Sequence, residues 1–227
     1  MSKLAAMKKV LVVAPHPDDE ILGCGGTMAR LVAEGADVHV VIMTSGQPPE
    51  YSEAYTRNIR AELATAHQML GLGNVHFLDL PAAGLDKLPA AQVNKAFGDL
   101  AEKLLPDTMF LPFVGDIHLD HQVSFLAAMV AARPRKFEVP ARIYAYETLS
   151  ETNWYAPGIT PAFIPNMYVD ISDYLDKKIE AFLQFKSQVK EFPDERSPET
   201  LRALATLRGS TVYRMAAEAF MLVREIA

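Results

Sequence analysis

Short, almost wholly apolar runs recur through the first two-thirds of this chain, and residues at helical spacing separate them. The runs are Lys9–Ala14, Asp37–Thr44, Val75–Asp79, Thr108–Pro112 and Arg142–Tyr146. Strands with so few polar positions must be covered on both faces, which a parallel sheet between helices provides. The intervening segments supply those helices. Ile21–Glu34 reads as one that stops at Gly35, and Ile59, Leu63, Ala66 and Leu70 form the apolar side of another that Gly71 closes. Two more are expected at about 90–105 and 120–132. This alternation is the pattern of βαβ units.

The last third changes character. Residues 152–165 form a loop rich in proline, glycine and aromatics that carries the only tryptophan, Trp154. Met167–Ile171 reads as a strand, and Leu175–Val189 as a helix with Ile179, Phe182 and Leu183 on its apolar side. A charged break, Glu191–Arg196, precedes Ser197-Pro198-Glu199, where an N-cap, a first-turn proline and an acidic residue start a further helix. No repeat or flexible linker divides the chain. The expectation is one α/β domain over 1–227, a Rossmann-like, mostly parallel sheet flanked by helices, with 150–227 as a C-terminal lid or substrate-side extension. In such sheets ligands bind at the carboxyl ends of the strands.

Composition narrows the partners. With 227 residues, 50% of them apolar, the chain can bury a full-sized core. A formal net charge of −6 and the lack of a dense Lys/Arg cluster argue against a phosphate-tracking surface, so nucleic acid is not an expected partner. No run approaches the roughly 20 apolar residues that span a bilayer, and the first residues lack the apolar core of a secretion signal. Cys24 is the single cysteine, which rules out an internal disulfide and suits a reducing compartment. A soluble, cytoplasmic protein is expected, as a monomer or a homo-oligomer.

The chemistry concentrates where the first strand ends. Ala14-Pro15-His16-Pro17-Asp18-Asp19-Glu20 runs into Ile21-Leu22-Gly23-Cys24-Gly25-Gly26, so a histidine and three carboxylates crowd the strand-to-helix turn. A second cluster, Gly115-Asp116-Ile117-His118-Leu119-Asp120-His121-Gln122, follows the Thr108–Pro112 strand at the same sheet edge. His16, Asp19 and His121 together match a two-histidine, one-carboxylate set for a divalent metal, with a position left open for water. Blander readings compete. Asp18–Glu20 also suit a solvated helix N-terminus, and His118 and His121 a polar turn. His39, His67 and His76 lie in or beside regular elements and read as packing or surface residues. Gly25-Gly26 lacks the G-x-G-x-x-G and the lysine of phosphate loops and reads as helix-to-sheet packing. Cys24, with no paired base, reads as a buried thiol.

These motifs carry a resemblance. His16-Pro17-Asp18-Asp19-Glu20, Gly25-Gly26 and, about a hundred residues on, His118-Leu119-Asp120-His121 resemble the PIG-L (LmbE-like) family of zinc-dependent N-acetylglucosamine deacetylases. Arg60-Ala61-Glu62, Leu70-Gly71 and Ala217-Glu218-Ala219-Phe220 support it. The resemblance implies a hydrolase that removes an N-acetyl group from a small amino-sugar substrate. It makes His16, Asp19 and His121 the ligands of Zn2+ or another divalent metal, and Asp18 the general base. His118 would bind the developing oxyanion or protonate the leaving amine. Asp120 is then an acidic neighbour that favours the His118 imidazolium, or an outer partner of the metal site.

Arg60, Trp154 and Glu218 are candidate substrate contacts, Trp154 with Tyr155 as a lip for the apolar face of a sugar. An exposed helix arginine and simple loop packing are the competing readings. Relatives place an acidic substrate contact before the glycine that follows the third strand, where Pro81-Ala82-Ala83-Gly84 offers alanine. Two other functions compete: an amidase acting on a non-sugar N-acyl metabolite, and a non-catalytic sugar-binding protein of the same fold. A pure binder has no use for Asp18 beside a metal.

Overall fold

The computed structural model describes residues 4–135, 138–156 and 158–227, so Pro157 of the aromatic loop lies outside the described residues. The apolar runs become strands β1 (Lys9–Ala14), β2 (Asp37–Ser45), β3 (Asn74–Pro81), β4 (Thr108–Pro112) and β5 (Arg142–Tyr146). Between them lie helices α1 (Asp19–Ala33), α2 (Glu53–Leu70), α3 (Ala90–Leu104) and α4 (Leu119–Ala131). Strand β6 (Met167–Asp170), helices α5 (Leu175–Phe182) and α6 (Pro198–Ser210), and strand β7 (Ala217–Glu225) follow. The sheet order is β3-β2-β1-β4-β5-β7-β6. Neighbours from β3 to β5 are parallel, and β7 enters antiparallel between β5 and β6.

Strand alternation splits the core in two. Val10, Val12 and Ala14 of β1 face one side with α1, α2, α5 and α6, while Leu11 and Val13 face the other with α3 and α4. Val10 to Ala14 are all 0% exposed, and truncating the largest of them, Leu11, to alanine costs about 2–5 kcal/mol. Helix α1 lies close against the sheet because Gly23 and Gly26 leave room. A Cβ on Gly23 would stand 2.2 Å from the Tyr146 ring, and one on Gly26 2.8 Å from Ile171. The packing reading of this glycine run describes that contact.

Two segments differ from expectation. Helix α5 ends at Phe182 rather than Val189, and i→i−3 turns take over at Gln184, Phe185 and Gln188. The apolar spacing runs on because Phe185 packs into the core from these turns. Strand β7 is the second difference, since no sequence pattern announces it. Its first four residues are buried and the rest half-open, so it lacks a clean two-residue alternation. Residues 150–227 are divided accordingly: β6 and β7 complete the sheet, while the turns near 188 and 196 reach its carboxyl edge.

The order places β1 at a reversal point. From β1 the chain builds outward to β2 and β3, then returns to the other flank of β1 as β4. The loops after β1 and β4 therefore diverge around a crevice at the carboxyl edge, where open α/β sheets bind ligands. Both histidine clusters of the sequence lie on those loops.

Candidate active site

The turn after β1 is anchored before it is functional. The Pro15 carbonyl accepts the Thr44 amide at 3.1 Å and the Thr44 hydroxyl at 2.8 Å. Asp18 caps α1 with left-handed backbone (φ 117°, ψ −27°), a conformation that costs a non-glycine residue about 1–3 kcal/mol. Local bonds hold it there. Its carbonyl accepts the amides of Ile21 and Leu22, both at 2.9 Å, and its own amide donates to Glu20 Oε2 at 3.1 Å. The other Glu20 oxygen meets His67 Nε2 at 2.8 Å. The third acid of the motif thus braces the turn, and His67 is the buried partner that fixes it.

This turn sends Asp18 and Asp19 in different directions. Asp18 lines a cavity, whereas Asp19 Oδ2 sits between two imidazoles, 3.3 Å from His16 Nδ1 and 3.2 Å from His121 Nε2. Each ring is held by its far nitrogen. His16 Nε2 lies 2.9 Å from Asp120 Oδ2, and His121 Nδ1 2.8 Å from Asp116 Oδ2. Asp120 is itself fixed by the Ala83 and Leu85 amides at 2.7 and 3.0 Å, and Asp116 by the Thr152 hydroxyl at 2.6 Å. A carboxylate behind each histidine is the usual support of a metal ligand.

The residues fit a divalent cation on two further counts. Asp19 Oδ1 and His121 Nε2 are buried without a hydrogen-bond partner, although buried polar atoms are seldom left so. Ligand atoms of His16, Asp19 and His121 also lie within 4.8 Å of one another. Charge agrees with this. Burial opposes protonation of both imidazoles, yet the surrounding carboxylates outweigh it and raise His16 to about 9 and His121 to about 10. Burial likewise opposes ionisation of Asp19, but the two rings hold it well below the usual carboxylate range. The cage attracts positive charge.

A second set, His16, His118 and Asp120, meets the same distance criterion. Its geometry bears on the two readings of Asp120. Asp120 binds His16, not the His118 ring, and the His118 Nδ1 accepts the Asp120 amide at 3.1 Å as the cap of α4. An amide can only donate, so Nδ1 is unprotonated and Nε2 carries the hydrogen. Burial and the charge of His16 lower the pKa of His118, against the pull of Asp120. The ring is a neutral donor, and no imidazolium is favoured.

Asp18 has its own surroundings. Its Oδ2 accepts from Arg196 Nη1 at 3.1 Å. Burial raises its pKa most; Arg196 draws it back, Asp19 and Glu20 push it up, and it rests at about 8. The cavity beside it holds ≈ 170 Å³ and is walled by His16, Asp18, His118, Glu151, Gln188 and Arg196 near the cage. Tyr51, Tyr55, Arg60, Phe77 and Ala82 line it as well. Arg60 pairs with Asp79 and stacks over Phe77, 4.5 Å from the ring centroid.

Two candidate substrate contacts lie elsewhere. Trp154 is 61% exposed and is not among the residues lining this cavity; the wall aromatics are Tyr51, Tyr55 and Phe77. Glu218 is buried beneath α1, where it accepts the Gly26 and Thr27 amides and pairs with Lys178 Nζ at 2.6 Å. Its carboxylate is spent inside the protein. Cys24 is a buried free thiol whose pKa is pushed up by burial. Sequence reasoning gives no role to Asp116, Gln188 or Arg196; only Asp116, five residues before His121, stands close enough to the motif to be noticed.

The PIG-L family model, described as GlcNAc-PI de-N-acetylase, matches residues 11–132, a stretch that spans both histidine loops. The chain belongs to the PIG-L family. A PIG-L relative from Thermococcus kodakarensis, diacetylchitobiose deacetylase, is 30% identical over 96% of this chain and 84% of its own. A 1D-myo-inositol 2-acetamido-2-deoxy-alpha-D-glucopyranoside deacetylase from Mycobacteroides abscessus is 27% identical over 96% of this chain and 92% of its own. Among solved structures, the conserved protein TT1542 from Thermus thermophilus superposes with a TM-score of 0.78 at 28% identity, covering 97% of both chains. No helix among the described residues is long and apolar enough to cross a membrane.

Proposed function

We propose that this PIG-L protein is a metal-dependent N-deacetylase that hydrolyses the acetamide of an N-acetylglucosamine derivative. One observation carries the reading: His16, Asp19 and His121 gather around unspent buried atoms, with Asp18 beside them on a cavity wall. The names of the Thermococcus and Mycobacteroides relatives support an acetamido sugar as substrate. Zn2+ is the assigned metal, because a nitrogen- and carboxylate-donor triad leaves the open position of catalytic zinc sites. Bound there, zinc supplies Lewis acidity, bringing the pKa of water to about 7 and polarising an amide carbonyl.

The protein's own groups do the rest. Asp116 and Asp120 keep the imidazoles aimed. Asp18 takes the proton from the attacking water and returns it to the amine nitrogen as the C–N bond breaks. A positioned group of this kind typically contributes about 10²–10⁴-fold, and the Arg196 guanidinium beside Asp18 favours the ionised carboxylate that accepts the proton. The His118 Nε2–H donates to the oxyanion that develops on the carbonyl. Arg60, Tyr51 and Tyr55 form the sugar side of the cavity. The free, buried Cys24 supports a reducing, cytoplasmic location.

The test is release of free amine and acetate in equal amounts from N,N′-diacetylchitobiose and other N-acetylglucosamine glycosides. Chelation should abolish the release and Zn2+ restore it. A full panel of acetamido sugars without amine would overturn the sugar reading, and turnover indifferent to chelation would overturn the metal.

A further inference from the structure

Asp18 differs from the other carboxylates of the site in how it is held. Asp120 is fixed by two backbone amides, Asp116 by a hydroxyl and an imidazole, and Asp19 Oδ2 by the His16 amide at 2.9 Å. The Asp18 carboxylate makes no capping bond to its own helix. Among the described residues its one hydrogen-bond donor is Arg196, which engages Oδ2 and leaves Oδ1 unbonded. Arg196 lies 178 residues further along the chain, in the turns between α5 and α6.

The guanidinium is itself locked. Nη1 donates to Asp18 and, at 2.8 Å, to Gln188 Oε1, while Nε donates to Ser150 Oγ at 2.9 Å. Those bonds use three of the five N–H donors of an arginine, and Nη2 stands 3.6 Å from Glu151. Gln188 is tied in turn to the hydroxyl of Tyr55, another residue lining the cavity, at 3.0 Å. A group so occupied is built to hold a neighbour.

We propose that Arg196 is the positioning residue of the base: by gripping Oδ2 it presents Oδ1 of Asp18 to the cavity as the proton-accepting atom. The proposal rests on the N-deacetylase reading for its kinetic test and on geometry alone for its structural one. Arg196→Met should lower kcat about 10²-fold, as a misplacement of roughly 1 Å does. KM should stay within about threefold, since no substrate contact is removed, and zinc stoichiometry should be unchanged. Arg196→Lys keeps the charge but not the three-way fork, and its loss should be intermediate.

A double-mutant cycle decides the matter. If Arg196 acts through Asp18, adding Arg196→Met to Asp18→Ala costs nothing further; additive losses overturn the proposal. A raised KM at unchanged kcat would make Arg196 a substrate contact instead and also overturn it. The crystal structure of metal-free Arg196→Met gives a readout without turnover. A rotated Asp18 carboxylate supports the clamp and an unmoved one refutes it, even should the wild type deacetylate no sugar on the panel.

Discussion

Histidines meet carboxylates at both ends of this sheet, and the two meetings end differently. Near the amino ends of β2 and β3, His39 Nδ1 lies 3.0 Å from His76 Nε2, His39 Nε2 lies 3.1 Å from Asp37, and Asn74 donates to the other Asp37 oxygen at 3.0 Å. At the carboxyl ends, His16 and His121 never touch each other; Asp19 stands between them. The ring centroids are almost equally spaced, 5.3 Å in the first pair and 5.5 Å in the second. The difference is in what is left over. In the first cluster the nitrogens satisfy each other at a rim where Asp37 is exposed, whereas the second keeps buried donor atoms unspent. Unpaired atoms under cover, Asp19 Oδ1 and His121 Nε2, set the second cluster apart from the first.

Substitutions can break that contrast or sharpen it. The largest effect is expected from His121→Ala, which should lose both zinc and turnover; metal analysis finding stoichiometric zinc would remove His121 from the ligand set. Asp18→Ala should keep the metal and lose about 10²–10⁴-fold in kcat, the usual worth of a positioned acid–base group. Equal loss of metal would place Asp18 among the ligands. Asp116→Ala leaves the ligands intact but frees the His121 ring, so zinc affinity by competitive chelation should fall about 10–100-fold. His39→Ala, at the other end of the sheet, should leave zinc content and turnover unchanged.

The smallest effect is one of pH. Burial, with the charges of His39 and Lys103, lowers the pKa of His76 from its usual 6.5. The folded protein therefore binds that proton less readily than the unfolded chain. Its contribution to stability is full above about pH 6.5 and drains away as the pH falls. Urea midpoints at about pH 7.5 and 5.5 should show the wild type losing slightly more on acidification than His76→Gln.

The same contrast explains what could be read from the sequence. The parallel strands, the α2 and α6 caps and both histidine loops arise from residues close together in the chain, so local patterns revealed them. Gly71 closes α2 with φ 80°, and Ser197 caps α6 through its side chain. What escaped depends on distant pairing. Strand β7 owes its conformation to neighbours on both sides, and Arg196, one charge of the Glu191–Arg196 break, meets Asp18 only through the fold. Asp120 bonds a ring 104 positions away in place of the one beside it.

Strand β7 has a consequence for the order in which the protein becomes competent during synthesis. By the time α4 has formed, the nascent chain already contains both imidazoles and all the acids that aim them. The grip on Asp18 arrives only with residue 196, and β5 lacks its outer neighbour until the stretch from 217 to 225 threads into place. A chain that ends before residue 196 lacks the Arg196 grip on Asp18, and one that ends before residue 217 leaves β5 without its antiparallel neighbour.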